Sequence, residues 1–180
     1  MYKKNKNKKG FVLWFTGLSA AGKSTIADEV YEILKQKNIK LERLDGDIVR
    51  QNLTKDLGFS SKDRDENIRR VGFVSNLLSC NGVGVIASFI SPYRKQRKEL
   101  KKIVYNFIEV FVDTPLSICE DRDPKGMYKK ARAGKIKNFT GISDIYEKPN
   151  NPDIVLKTNK INTKECVKIV IDYLIKNNFI

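Results

Sequence analysis

Phe11-Val-Leu-Trp-Phe-Thr-Gly17-Leu-Ser-Ala-Ala-Gly22-Lys23-Ser24-Thr25 is the stretch that decides the fold. Its first five residues are a continuous apolar run, the pattern of a strand buried on both faces of a parallel sheet. Beyond the glycine-containing loop, Ile26, Ala27, Val30, Ile33 and Leu34 recur at helical spacing between Ser24 and Lys37. Between strand and helix, Gly17, Gly22, Lys23 and Ser24 match the four fixed positions of the Walker A pattern. The spacing has a physical reason: glycines let backbone N–H groups turn inward around phosphates, at the positive end of the following helix. The expected ATP-binding segment is therefore Gly17, Leu18, Ser19, Ala20, Ala21, Gly22, Lys23, Ser24 and Thr25. Lys23 can reach the β- and γ-phosphates, and the Ser24 hydroxyl can ligate Mg²⁺.

Outward from this stretch, strands and helices alternate. Leu41–Leu44, Val83–Phe89, Phe107–Val112 and Ile154–Leu156 read as further strands. Asp63 is the expected cap of a helix carrying Ile68, Val71, Val74, Leu77 and Leu78 along one side. Ser91-Pro92 and Thr114-Pro115 both read as a helix N-cap followed by proline in the first turn. Thr163–Lys176 closes the chain as an amphipathic helix. The expected fold class is α/β, a P-loop NTPase fold with a parallel sheet covered by helices on both faces. One domain is expected over residues 10–180, with a polar, glycine-punctuated, basic lid at about 125–151 and a basic tail at 1–9.

The 180 residues suit one domain with a sizeable core, and 41% apolar with 31% charged content is globular. A formal charge of +14 raises the question of nucleic acid. The positives form no single stripe with interleaved aromatics. Five lysines crowd the first nine residues, and six basic residues run from Lys125 to Lys137. Polyanionic small molecules explain that balance as well, so no nucleic-acid partner is expected. The chain has no histidine, so acid–base chemistry falls to carboxylates, lysines or hydroxyls. Cys80, Cys119 and Cys166 are far apart and odd in number, which supports neither a disulfide framework nor a zinc site. The run Phe11–Phe15 is too short for a signal peptide, and no segment is apolar enough to span a bilayer. A cytoplasmic protein is expected.

Asp45-Gly46-Asp47 ends the second strand, where a parallel sheet offers its ligand edge. Two carboxylates there can hold Mg²⁺ through water, or take a proton from an attacking hydroxyl. Ser24 and Asp47 are the expected metal-binding residues.

Leu44-Asp-Gly-Asp-Ile-Val-Arg50 is followed by Leu57-Gly-Phe-Ser60 and Asp63-Arg-Asp-Glu-Asn-Ile-Arg-Arg70. Later come Ser88-Phe-Ile-Ser-Pro-Tyr-Arg94 and Lys125-Gly-Met-Tyr-Lys-Lys-Ala-Arg-Ala-Gly-Lys-Ile-Lys-Asn-Phe-Thr-Gly141. Together with the phosphate loop, these motifs resemble the adenylyl-sulfate kinase family from about Lys9 to Leu174. The resemblance implies ATP- and Mg²⁺-dependent transfer to the 3′-hydroxyl of adenylyl sulfate by a homodimer. It implies that Lys23, Asp47 and Ser91 sit at the reaction centre. It also implies that Arg50, Arg64 and Asn67 bind the phosphosulfate end of the acceptor, and that Phe59 and Phe139 sandwich its adenine. Ile90, Ser91 and Lys125 would line the same pocket, with Asp45, Asp47 and Ile68 beside them. Read without the family, Phe59 and Phe139 are core residues, and the arginines near Glu66 are surface ion pairs worth little.

The sequence departs from the family in three places. Ala20-Ala21 stands where a glycine usually precedes the small residue. Ile48 replaces a frequent asparagine beside the acceptor site, and Val71 follows Arg70 where a glutamate is usual. Kinases resembling this family also include one acting on cytidine diphosphoramidate, which stays as the alternative acceptor here, since an aromatic sandwich would hold either base. A nucleic-acid-binding protein with a vestigial loop, or a regulatory NTPase, would leave the second set of motifs without a purpose.

Overall fold

The computed structural model describes residues 10–180; the basic tail expected at residues 1–9 lies outside the described residues. β1 (Phe11–Thr16) is the middle of five parallel strands ordered β2-β3-β1-β4-β5. The others are β2 (Leu41–Asp45), β3 (Gly84–Ser88), β4 (Phe107–Val112) and β5 (Ile154–Leu156). Every residue of β1 is buried, as its unbroken apolar run requires.

Strand alternation divides the core into two layers. Phe11, Leu13 and Phe15 pack beneath α1 (Lys23–Gln36) and α7 (Thr163–Lys176), against Ile26, Val30, Leu34, Val170 and Leu174. Val12 and Trp14 face α3 (Ser61–Cys80) and α4 (Arg94–Ile103), against Ile68, Val71 and Leu100. These two helices touch closely at Gly72, where an added Cβ would lie 2.1 Å from Leu100 Cδ2.

Local details correct the sequence reading. The cap of α3 is Ser60 rather than Asp63. Ser60 Oγ accepts from the Asp63 N–H at 3.2 Å while the Asp63 carboxylate accepts from the Ser60 N–H at 3.3 Å, a capping box. Ser91 does not cap a helix either. α4 starts three residues later with Tyr93 as N-cap, because Trp14 and Thr16 claim the Ser91 hydroxyl. Likewise Thr114 gives its hydroxyl to the carbonyl of Ala21, and Pro115 is the N-cap of α5 (Leu116–Arg122). Two short helices were not anticipated: α2 (Gly46–Gln51) directly after β2, and α6 (Met127–Arg132) inside the basic segment. The carboxyl ends of β1, β2 and β3 bring Gly17, Asp45 and Ser88 to one edge of the sheet.

Candidate active site

The chain leaves β1 through Gly17, at φ 151°, where a Cβ would sit 2.6 Å from the Val112 carbonyl oxygen. A side chain has no room there. Gly22, left-handed at φ 99°, precedes α1, and no side chain caps that helix. Its first-turn N–H groups are therefore left for an anion. The Lys23 ammonium folds back over the loop and donates to the carbonyls of Gly17 (3.0 Å) and Leu18 (2.6 Å). Burial pushes it down to about 8, although Cys119, Asp45 and Asp47 pull the other way.

Ala20 adopts φ 56°. An L-residue in this region costs roughly 1–2 kcal/mol, whereas glycine enters it freely and loses roughly 0.5–1 kcal/mol of unfolded-chain entropy on folding. Ala20→Gly is therefore expected to raise the melting temperature by about 1–3 °C in a calorimetric scan. A lowered melting temperature would show that the methyl's packing outweighs the strain.

Asp45 ends β2 and caps α2, accepting the Asp47 N–H on Oδ1 at 3.0 Å. Its Oδ2 accepts from Ser24 Oγ (2.8 Å), Ser88 Oγ (2.8 Å) and Arg43 Nη2 (3.3 Å). Burial works to raise this carboxyl, but the bonds from Asp47, Ser88 and Ser24 and the charge of Arg43 outweigh it and hold the group below its ordinary value. Ser24 thus meets Asp45, not Asp47. Asp47, one residue into α2, is largely exposed and pairs with the ammonium of Lys125 across the cleft. That bond raises the lysine above its usual range.

Among the described residues no three His, Cys, Asp or Glu side chains gather to hold a metal by themselves. One hydroxyl beside one ionised carboxylate fits Mg²⁺, which takes few protein ligands and completes its shell with phosphate oxygens and water.

On the acceptor side, Phe59 is 57% exposed, with the Arg50 guanidinium 4.3 Å and that of Arg64 5.9 Å from its ring centroid. Phe139 is buried, packed edge-on against Tyr128 at 5.0 Å. Arg50 donates to the carbonyl of Gly58 (3.0 Å). Arg64 is buried and already committed: it donates to the Phe59 carbonyl (3.1 Å), to Thr140 Oγ1 (2.9 Å) and to the Asn138 carbonyl (2.5 Å). Asn67 Oδ1 accepts from the Thr54 hydroxyl at 2.8 Å. Arg64 therefore joins α3 to the basic segment as well as bordering the site.

Ser91 is buried at φ 39°, a conformation held by its surroundings. Its hydroxyl accepts from Trp14 Nε1 (3.0 Å) and donates to Thr16 Oγ1 (2.9 Å), which also lies 2.9 Å from the Tyr146 hydroxyl. Its carbonyl accepts from Arg97, which also binds the Glu147 carbonyl and, at 2.8 Å, the buried Glu109 carboxylate.

These parts border a single cavity of about 1200 Å³. Ser19, Ala20, Gly22, Lys23, Ser24 and Thr25 line it from the phosphate loop. Asp45, Asp47, Arg50, Phe59, Arg64, Asn67, Ile68, Ile90, Ser91, Lys125 and Phe139 line it from the acceptor motifs. Gly17, Leu18 and Ala21 lie behind the lining and act through their carbonyls, that of Ala21 accepting from Thr114 and Thr158. Sequence reasoning missed the far end of the cavity, formed by Arg122, Thr158, Asn162, Thr163 and Cys166. The signal was the place of Thr158 to Cys166 just beyond β5, at the same ligand edge of the sheet; Arg122, at the end of α5, carried none.

Residues 9–157 match the family model described as adenylylsulphate kinase. The chain belongs to the adenylylsulphate kinase family. An adenylyl-sulfate kinase from Halothermothrix orenii is 57% identical over 97% of this chain and 95% of its own. A probable adenylyl-sulfate kinase from Pseudomonas aeruginosa is 61% identical over 90% of this chain and 76% of its own. Among solved structures, the Mycobacterium tuberculosis APS kinase CysC in complex with AMPPNP and APS superposes with a TM-score of 0.89. It is 46% identical and the match covers 93% of this chain and 98% of that one. A shikimate kinase from Aquifex aeolicus, 17% identical with a TM-score of 0.56, shares the fold alone. The motifs that carried the resemblance thus converge on one cleft.

Proposed function

We propose that this chain transfers the γ-phosphate of ATP to the 3′-hydroxyl of adenylyl sulfate, giving ADP and 3′-phosphoadenylyl sulfate. The observation that carries the reading is the continuity of the cavity. A single small-ligand site occupies roughly 300–1,000 Å³, and this cleft of about 1200 Å³ joins the phosphate loop to the Phe59 and Phe139 wall. It has room for a donor and an acceptor meeting midway.

The reaction divides among named residues. Phosphoryl transfer needs positioning and positive charge more than covalent help. The α1 amides and Lys23 hold the donor phosphates, the ammonium leaving the Gly17 and Leu18 carbonyls to do so. Ser24 and Asp45 would hold Mg²⁺, with Asp47 nearby, and the ion would supply charge that neutralises the phosphates. Phe59, Phe139, Arg50 and Asn67 hold the acceptor nucleotide, with Arg64 fixing the lid against Phe59. Asp47 orients the acceptor hydroxyl and takes its proton as the oxygen bonds to the γ-phosphorus and the bond to the β-phosphate oxygen breaks. Ser91, buried and bonded on both sides, acts by shaping the loop, so the phosphoryl group passes directly. Residues 125–151 act as the lid of a single domain, excluding water. A cytoplasmic homodimer completes the reading; Phe73 and Leu77, exposed one turn apart on α3, support the dimer.

The test is ADP release with ATP and Mg²⁺, adenylyl sulfate competing at equal concentration with cytidine diphosphoramidate. Adenylyl sulfate is expected to be the preferred acceptor. A kcat/KM at least about tenfold higher for the cytidine compound, about 1.4 kcal/mol in transition-state binding, overturns the choice of acceptor.

A further inference from the structure

Arg43 lies in the middle of β2, on the sheet's edge strand, and its side chain is only 14% exposed. It sits two residues before Asp45, so both side chains point to the same face of the strand. The guanidinium uses all three nitrogens. Nε donates to Asp28 Oδ1 on α1 at 2.8 Å. Nη2 donates to Ser88 Oγ on β3 at 2.9 Å and to Asp45 Oδ2 at 3.3 Å. Nη1 donates to the carbonyls of Leu44 (3.1 Å) and Ile86 (3.2 Å).

One planar side chain thus ties together the three elements that meet at the Ser24–Asp45 contact. α1 is held at Asp28, one turn beyond Ser24; β3 is held through Ser88, whose hydroxyl binds the same Asp45 oxygen. With Oδ2 taken by Ser24, Ser88 and Arg43, Oδ1 is the oxygen with capacity left, and its direction is fixed by the bonds on its neighbour. A lysine has no planar fork to span these partners at once.

We propose that Arg43 is a positioning residue that holds the Asp45 carboxylate at the mouth of the phosphate loop. It thereby sets the affinity for the divalent cation that accompanies the donor phosphates. The inference rests on the reading of Ser24 and Asp45 as the metal-holding pair.

The test measures Mn²⁺ affinity, by electron paramagnetic resonance, for enzyme saturated with a non-hydrolysable ATP analogue. Wild type, Arg43→Met, Asp45→Asn and the double variant are compared. Arg43→Met is expected to weaken Mn²⁺ by about tenfold, the lower end for a residue supporting a ligand. In the Asp45→Asn background the same change is expected to add less than about twofold, because the group it orients is gone. The acceptor KM is expected to stay within about twofold of wild type, since Arg43 is not in the cavity wall. Unchanged Mn²⁺ affinity in Arg43→Met, or an equal loss in the Asp45→Asn background, overturns the proposal. Asp45→Asn with wild-type affinity instead overturns the metal reading beneath it, and the proposal with it. Should Arg43→Met not fold, Arg43→Lys keeps the charge without the fork; an expected loss of about threefold supports the proposal and none overturns it.

Discussion

Lys23→Ala is expected to lower kcat by at least about a hundredfold, a loss of about 2.7 kcal/mol in transition-state stabilisation. On the proposed function the ammonium faces the charge that develops on the transferring phosphoryl group. Its two partners in the loop are the carbonyls of Gly17 and Leu18, weak competitors for a triphosphate. A variant within about tenfold of wild type would remove Lys23 from the reaction centre. The same residue makes donor binding depend on pH. In the unfolded chain Lys23 keeps its proton to about 10.5, whereas burial in the fold lets it go near 8. Between those values the unfolded chain binds the extra proton, so this residue's contribution to stability rises with pH; below 8 its buried charge weighs against the fold. A triphosphate favours the charged form. ATP binding at pH 9 is therefore expected to take up a proton in the wild type and not in Lys23→Ala, measured as heat in buffers of different ionisation enthalpy. Equal uptake by both proteins would assign the proton elsewhere.

Asp47→Ala is expected to cost turnover at least about a hundredfold, with ATP affinity held within about twofold. The split follows from position. Asp45, not Asp47, meets Ser24 at the loop, whereas Asp47 projects from α2 into the cleft and pairs with Lys125 of the basic segment. On the proposed function, loss of Asp47 removes the group that orients the acceptor hydroxyl and leaves the donor's phosphate contacts alone. Its partner Lys125 is left without a counter-charge, but both side chains are largely exposed, so the fold is expected to survive. Equilibrium ATP binding and single-turnover transfer on the same preparation check the split. Near-normal transfer would refute the role of Asp47 while leaving the kinase reading standing.

The parallel sheet was legible because its signal is local: five apolar residues before a phosphate loop admit few other settings. The two short helices were not, because α2 and α6 each span six residues and neither has room for a repeating apolar stripe. Ser91-Pro92 carried a sound local cap signal, but Trp14 and Thr16, 77 and 75 residues away in sequence, took the hydroxyl. Arg64 read as an anion-binding residue on its motif, yet its donors close on Thr140 and Asn138, a pairing visible only once the chain is folded. Phe59 and Phe139 had a core reading and a binding reading; Phe59 is open to solvent and Phe139 is packed, and both border the cavity, so burial alone does not separate the two readings. Arg43 carried no motif, and its five bonds arise from three elements that the sequence does not place side by side.

Arg97 and Glu109 have a bearing on descent. Their side chains are 2% and 9% exposed, and they meet at 2.8 Å beneath the loop that carries Ser91. Losing either partner alone strands a buried charge, at a cost of about 3–5 kcal/mol against a total stability of about 5–15 kcal/mol. An apolar pair of matching volume would cost far less, but it would orphan the carbonyls of Ser91 and Glu147 that Arg97 now satisfies. A lineage can therefore abandon this arrangement only by changing both positions and the loop above them in one stride. Where one of the two residues is inherited, the other should be inherited with it.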